Sequence, residues 1–288
     1  MEFFTLKSGI RLHYHLTGLN SPKNIHEKPL LVMFHGFGSG LYTWESFEKE
    51  FADDLIMLCW EHRGHGDSDK PIGITYEHTL ELYQMAKICE DAHEIIHGLL
   101  PDLKQKYFVI GHSMGGMIAQ LYALMYQSEL SGMILESTTA KNEGDSLNKI
   151  LNDFKSRKVE FGREAVSMNT MLGTSHKYRK EHPEIIERSI QYKLKLPKDV
   201  YIAFLENIVK AFNSSDRLHE ITIPTLILHG DRDALVPITR GRELHQLLKN
   251  SQLIEIPKGP HSINAECSSI VFPAIKKFIF SIIQKNRE

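Results

Sequence analysis

At 288 residues and 42% apolar content, the chain is long enough for one large α/β core, or a core with a small accessory domain. A formal charge of −2 and a pI near 6.8 argue against nucleic acid or an anionic membrane as the main partner. The apolar runs are far too short to span a bilayer, and Met1–Ile10 has neither a basic leader nor an extended apolar segment, so the expected location is cytoplasmic with no membrane partner.

Residues 2–7 and 10–17 alternate apolar and polar around Ser8-Gly9, the pattern of a β-hairpin. Leu30–Phe34 is wholly apolar, as a strand in a sheet covered on both faces requires. A helix over about 43–52 leads to a second buried strand at Leu55–Cys59, then to a polar, glycine-rich loop from Glu61 to Ser68. A long amphipathic helix is predicted over about 79–99, with Leu82, Met85, Cys89, Ala92, Ile96 and Leu99 as its core stripe. A strand from Tyr107 and a helix from Met114 follow, then a buried strand at Met133–Leu135.

Residues 138–218 change character: helix-prone, highly charged and without a convincing buried strand. Alternation resumes with strand Thr225–His229, helix Arg240–Leu248, strand Gln252–Ile256 and helix Ile270–Ile283. Strands alternating with helices imply a mainly parallel sheet wrapped on both faces. Residues 1–137 and 219–288 therefore read as one core domain. The 138–218 block reads as a helical insertion at the C-terminal edge of a strand, where α/β sheets place their ligand sites. Cys59, Cys89 and Cys267 are odd in number and far apart, which reads as reduced thiols, with no disulfide framework or metal site.

The chemistry concentrates at Gly111-His112-Ser113-Met114-Gly115, between an apolar strand and a run of helix formers. A serine at the apex of so tight a turn projects its hydroxyl away from the backbone, and glycines at 111 and 115 remove the Cβ atoms that would collide there. The helix N-terminus beneath it favours negative charge. A serine hydroxyl needs a base, and the base needs an acid to orient it. His261 lies in the loop after the last predicted strand, in Gly259-Pro260-His261, and Asp233 lies in the loop after the strand before it. Parallel strands share one end, so these loops emerge at the same edge as Ser113. For the acid, Asp233 leads, with Asp231 two residues away and Glu136 at the end of another strand as competitors. Oxyanion donors are expected from the Met114 N–H and from the His35-Gly36-Phe37-Gly38 loop, with Phe37 N–H the preferred donor there.

His35-Gly36-Phe37-Gly38, Arg63-Gly64-His65-Gly66-Asp67-Ser68, Gly111-His112-Ser113-Met114-Gly115-Gly116, Gly230-Asp231-Arg232-Asp233 and Gly259-Pro260-His261 resemble, in order and spacing, the motifs of the α/β-hydrolase superfamily. The resemblance covers nearly the whole chain outside 138–218. It implies an eight-stranded sheet, a Ser-Asp-His triad, a helical lid over the pocket and no metal or organic cofactor. Glu61 departs from the pattern, since relatives often carry aspartate before the arginine loop. Serine at 113 disfavours the dehalogenase, epoxide hydrolase and dienelactone hydrolase branches, whose nucleophile is aspartate or cysteine.

Several other features invite a function. His93-Glu94-Ile95-Ile96-His97 matches the H-E-x-x-H zinc pattern on a predicted helix. No third ligand stands at the extended-motif position, which holds Leu103, and the next glutamate is Glu129, so a solvated helix face is the expected role. His35, His112 and His229 read as pocket-lining or loop-bonding residues. Phe154, Phe161, Met168, Met171, Leu172, Tyr178, Tyr192 and Phe204 would either line an apolar pocket or form the insertion's own core. Arg157, Arg163, Arg179 and Arg188 are candidates for a substrate carboxylate, with surface solvation as the default. The leading expectation is a serine hydrolase of a small carboxylic ester or lactone. Carbon–carbon bond hydrolysis of a vinylogous diketone is the alternative, and it predicts a lid arginine pointing into the pocket. A small-molecule receptor on a hydrolase scaffold is the reading from another class.

Overall fold

The computed structural model describes residues 1–19, 28–141, 145–156 and 160–285. Its strands are β1 (Glu2–Thr5), β2 (Arg11–Thr17), β3 (Leu30–Phe34), β4 (Ile56–Trp60), β5 (Tyr107–His112), β6 (Leu130–Glu136), β7 (Thr225–Gly230) and β8 (Ser251–Ile256). They form one eight-stranded sheet in the order β1-β2-β4-β3-β5-β6-β7-β8. The β1–β2 and β2–β4 pairings are antiparallel, and all others are parallel. This is the mostly parallel eight-stranded architecture expected.

The helices are α1 (Glu45–Phe51), α2 (Tyr76–Leu82), α3 (Met85–Leu99), α4 (Met114–Tyr126), α5 (Asp145–Lys155) and α6 (Arg163–Gly173). After them come α7 (His176–Glu181), α8 (Pro183–Leu194), α9 (Lys198–Glu206), α10 (Ile238–Leu247), α11 (Ile263–Glu266) and α12 (Ser268–Lys285). The wholly apolar composition of β3 follows from its position, because alternate side chains feed two separate cores. Leu30, Val32 and Phe34 join Ile88, Cys89 and Ala92 of α3 and Ile118 and Tyr122 of α4. Leu31 and Met33 face the other way, toward Phe47 and Phe51 of α1 and Phe272, Ile275 and Ile279 of α12. Each fully buried side chain of this size contributes about 1.5–3 kcal/mol.

The helix expected over 79–99 is broken. Gln84 is extended (φ −60°, ψ 138°), separating α2 from α3. Two tertiary bonds hold the break: Arg63 donates to the Leu82 carbonyl at 3.0 Å, and the Tyr83 hydroxyl donates to the Pro71 carbonyl at 2.7 Å. The same Arg63 clamps the buried Asp91 carboxylate through two bonds of 2.6 and 2.5 Å. Asp91 thus sits on the buried face of α3 with Ile88 and Ile95, whereas Leu82 and Leu99 are only partly covered.

Between β6 and β7 the described residues form α5 to α9 and a π turn at Asn207–Ala211, with no strand beyond an isolated bridge between Lys141 and Asn213. These helices have no separate core. Phe154, Val166, Val200 and Phe204 belong to the same continuous apolar cluster as β3 and α4. α9 rests directly on the loop after β3, with the Phe37 and Tyr201 rings 4.7 Å apart. Among the described residues, no helix is long and apolar enough to cross a membrane.

Register decides where the loops meet. Phe34 lies opposite Gly111, His112 opposite Glu136, Glu136 opposite Leu228, and Gly230 opposite Ile256. The parallel strands β3, β5, β7 and β8 therefore release their C-terminal loops side by side along one edge of the sheet.

Candidate active site

Ser113 stands between β5 and α4 with φ 56° and ψ −119°, a conformation that L-residues adopt only under tertiary constraint. Glycine is required on both sides of it. A Cβ on Gly111 would lie 2.1 Å from the Gly115 carbonyl oxygen, and one on Gly115 would lie 1.9 Å from that of Phe34. The turn is held by the Ser113 N–H donating to the Glu136 carbonyl at 2.9 Å and by the Thr138 hydroxyl donating to the Ser113 carbonyl at 2.7 Å.

The loop after β3 approaches from the side. A Cβ on Gly36 would come within 3.4 Å of Ser113 Cβ, so the loop backbone runs against the nucleophile candidate. Gly38 takes φ +67°, and its N–H donates to His65 Nε2 at 3.0 Å. One turn earlier, His35 donates from Nδ1 to the Gly36 carbonyl at 2.8 Å and accepts at Nε2 from the His62 N–H at 3.0 Å. Burial lowers His35 to about 4 and pushes His62 and His65 well below their ordinary value, so all three rings are neutral. Among the described residues, the Phe37 and Met114 N–H groups have no protein acceptor, which leaves both available to a ligand.

His261 and Asp233 meet as a buried pair: His261 Nδ1 lies 2.7 Å from Asp233 Oδ2. The other carboxylate oxygen accepts the Leu235 and Val236 N–H groups at 2.9 and 2.8 Å. Burial alone would raise the Asp233 carboxyl, but the His261 charge and the hydrogen bonds around it hold it well below the usual carboxylate range. His112 Nε2 donates to the His261 carbonyl at 3.0 Å and fixes that backbone, while burial lowers its own ring to about 3. His229 Nε2 bonds the Val236 carbonyl at 2.8 Å.

Of the three candidate acids, Asp233 is the one bonded to His261. The Glu136 carboxyl is buried with neither oxygen partnered, and burial raises it to about 8. The Asp231 side chain is exposed. Ser113 and His261 line one cavity of about 390 Å³, together with Phe37 and Met114, although no hydrogen bond joins the serine hydroxyl to the imidazole among the described residues. Catalytic hydrogen bonds in ligand-free sites are often long and tighten around substrate.

The aromatic and methionine candidates divide differently from expectation. Phe154 and Phe204 are core residues, Met168, Met171 and Leu172 are exposed, and Tyr178 lines the cavity. Arg163 pairs with Glu187, and Arg179 binds the Met171 and Thr174 carbonyls. Arg188 reaches the cavity wall but is held by Glu45 through bonds of 3.0 and 2.6 Å. Arg157 lies outside the described residues.

Lys193, which sequence reasoning missed, also lines the cavity and is 7% exposed. Its signal was present in α8, where Ile186, Ile190 and Lys193 follow an i, i+4, i+7 stripe that should be apolar throughout. Glu61 shapes the neighbouring loop, since its Oε2 accepts the Asp67 N–H at 2.5 Å and faces His13 Nδ1 at 2.9 Å.

His93 and His97 lie on a partly exposed helix face, as expected, but they are bonded there. Both turn Nε2 onto Glu129, at 3.0 and 2.9 Å, and the Tyr107 hydroxyl donates to the same carboxylate at 2.9 Å. The chain reversal after α4 delivers the glutamate, which linear spacing could not reveal. These three side chains hold potential ligand atoms within 4.8 Å of one another, but none of them lines the cavity.

A sequence model of the family described as serine aminopeptidase, S33, matches residues 25–268. A proline iminopeptidase from Pestalotiopsis fici is 24% identical over 298 residues, covering 97% of this chain and 99% of the relative. Among solved structures, the enol-lactonase from Burkholderia xenovorans LB400 superposes with a TM-score of 0.82 at 20% identity, covering 97% of this chain and 100% of the other. A thermophilic esterase from Thermogutta terrifontis, with malate bound, gives 0.80 at 24% identity, covering 98% and 99%.

Proposed function

The chain belongs to the S33 family of α/β-hydrolases, and from that premise we propose that it is a serine hydrolase of small carboxylic esters or lactones. The observation that carries the proposal is the bond from Asp233 to His261, which lines the same cavity as Ser113. An Nδ1–H donated to Asp233 leaves the Nε2 lone pair of His261 as the base. In the proposed reaction that nitrogen takes the Ser113 proton as Oγ attacks the substrate carbonyl. The Phe37 and Met114 N–H groups receive the oxyanion, and the His261 proton then goes to the departing alkoxide. Water deprotonated by the same nitrogen attacks the acyl-enzyme, releasing the acid and restoring Ser113. The 138–218 helices act in this reading as the lid that encloses the substrate, and the three free thiols fit a cytoplasmic enzyme.

The cavity argues against aminopeptidase activity. Recognition of a peptide's N-terminal ammonium calls for a free carboxylate, and the one carboxylate among the described cavity residues, Glu45, is already held by Arg188. The same pairing withholds Arg188 from the role that carbon–carbon bond hydrolysis assigns to a lid arginine. Fluorophosphonate labelling with p-nitrophenyl ester turnover tests the proposal: wild type should label and turn over, and Ser113→Ala should do neither. A folded wild type that binds ligand without labelling would instead be a receptor.

A further inference from the structure

The charge balance of the cavity is uneven. Its described charged residues are Glu45, Lys49, Arg188 and Lys193, with His112 and His261 beside them. Glu45 and Arg188 cancel one another, and Lys49 is exposed at the rim. Lys193 is left as a buried ammonium whose hydrogen-bond partner among the described residues is the Ser189 hydroxyl, at 3.0 Å. Among the described residues no carboxylate pairs with it, whereas buried cations are ordinarily paired. Burial lowers it to about 8, which still leaves it mainly charged at neutral pH. Its stem packs on the oxyanion loop, because a Cβ on Gly38 would lie 2.6 Å from Lys193 Cγ. A second donor in the cavity wall, Asn264 Nδ2, is also buried without an acceptor.

We propose that Lys193 is the recognition point for a carboxylate on the substrate, so that the preferred substrates are esters or lactones bearing a free acid group. An incoming carboxylate would supply the counter-ion that the fold withholds, and its desolvation would be offset by a charge-assisted bond in a site of low polarity. An ester without the acid leaves the ammonium buried and unpaired in the complex.

The proposal rests on the ester-hydrolase reading, and two measurements separate them. Monomethyl glutarate against dimethyl glutarate places the acid on the acyl side; 4-acetoxybenzoate against its methyl ester places it on the leaving group. Wild type should favour the charged member of at least one pair by about 10- to 100-fold in kcat/KM. Lys193→Met should lose that ratio, and Lys193→Arg should keep part of it. Equal turnover of charged and neutral esters by the wild type, or an equal loss of both in Lys193→Met, overturns the proposal and leaves ester hydrolysis standing. Independently of turnover, dicarboxylates from malonate to adipate should raise the melting temperature of Ser113→Ala but not of Ser113→Ala/Lys193→Met. That result in a protein hydrolysing no ester would retain the anion site and remove the esterase reading; equal shifts in both variants would remove the anion site.

Discussion

The Gly38 N–H donates to His65 Nε2 at 3.0 Å and so ties two glycine-rich loops that lie 27 residues apart. The bond fixes the loop after β3 next to Phe37, whose N–H has no protein acceptor among the described residues. In the proposed mechanism His65 is thereby a positioning residue. In His65→Leu the loop loses its anchor, and kcat for ester hydrolysis should fall by about 10- to 100-fold with little change in KM, since the oxyanion exists only along the reaction path. His65→Gln, whose side-chain carbonyl can accept the same N–H, should recover part of the loss. A change confined to KM would refute the role.

In the proposed mechanism Asp233 holds His261 in place through their 2.7 Å bond, so Asp233→Asn should lower kcat by about 10⁴-fold, as loss of the acid does in triads of this kind. Asp231→Asn, two residues away with an exposed side chain, should stay within about twofold of wild type. Steady-state kinetics on one p-nitrophenyl ester measures both, and the reverse ranking would transfer the role to Asp231.

Glu136 carries a pH signature in stability. Its folded carboxyl is raised from 4.5 to about 8 by burial with no partner, so between those values the unfolded chain ionises while the folded chain holds its proton. The stabilising contribution is therefore complete below pH 4.5 and is lost as pH rises toward 8. Each pH unit in that window costs about 1.4 kcal/mol. Glu136→Gln cannot ionise, so its stability relative to wild type should climb steadily from pH 5 to pH 8 in urea denaturation. A difference that is flat with pH would contradict the raised carboxyl.

Metal removal should leave catalysis untouched. His93, His97 and Glu129 satisfy one another by hydrogen bonds and contribute nothing to the cavity wall. Dialysis against EDTA should leave p-nitrophenyl ester turnover unchanged, and Glu129→Gln should change thermal stability more than kcat. Inhibition by EDTA that added zinc reverses would overturn this assignment.

At the elbow, Gly115→Ala would press a Cβ against the Phe34 carbonyl, 1.9 Å away in the present backbone. Main chain on both sides leaves no flexible side chain to yield. The expected loss is about 3 kcal/mol or more, read by thermal or chemical denaturation. Retention of wild-type stability would mean that the β3–α4 contact is looser than described.

The parts legible in the amino-acid order were those governed by local periodicity. Apolar runs such as Leu30–Phe34 identify strands buried on both faces, and their alternation with helices sets the parallel sheet. Because parallel strands end at one edge, the positions of Ser113, Asp233 and His261 after their strands already brought their loops to that edge. What the order of residues could not show depends on partners far away in the chain. At the break near Gln84, Arg63 takes the Leu82 carbonyl that a continuous helix would have used, and Pro71 anchors the Tyr83 side chain beside it. Glu129 returns to His93 and His97 only because the chain reverses after α4. Lys193 looks like a surface residue until α8 lies against the loop at Gly38, which removes water from the ammonium without supplying a carboxylate. Local pattern determined which segments pack; packing alone determined which polar groups were left facing one another, or nothing.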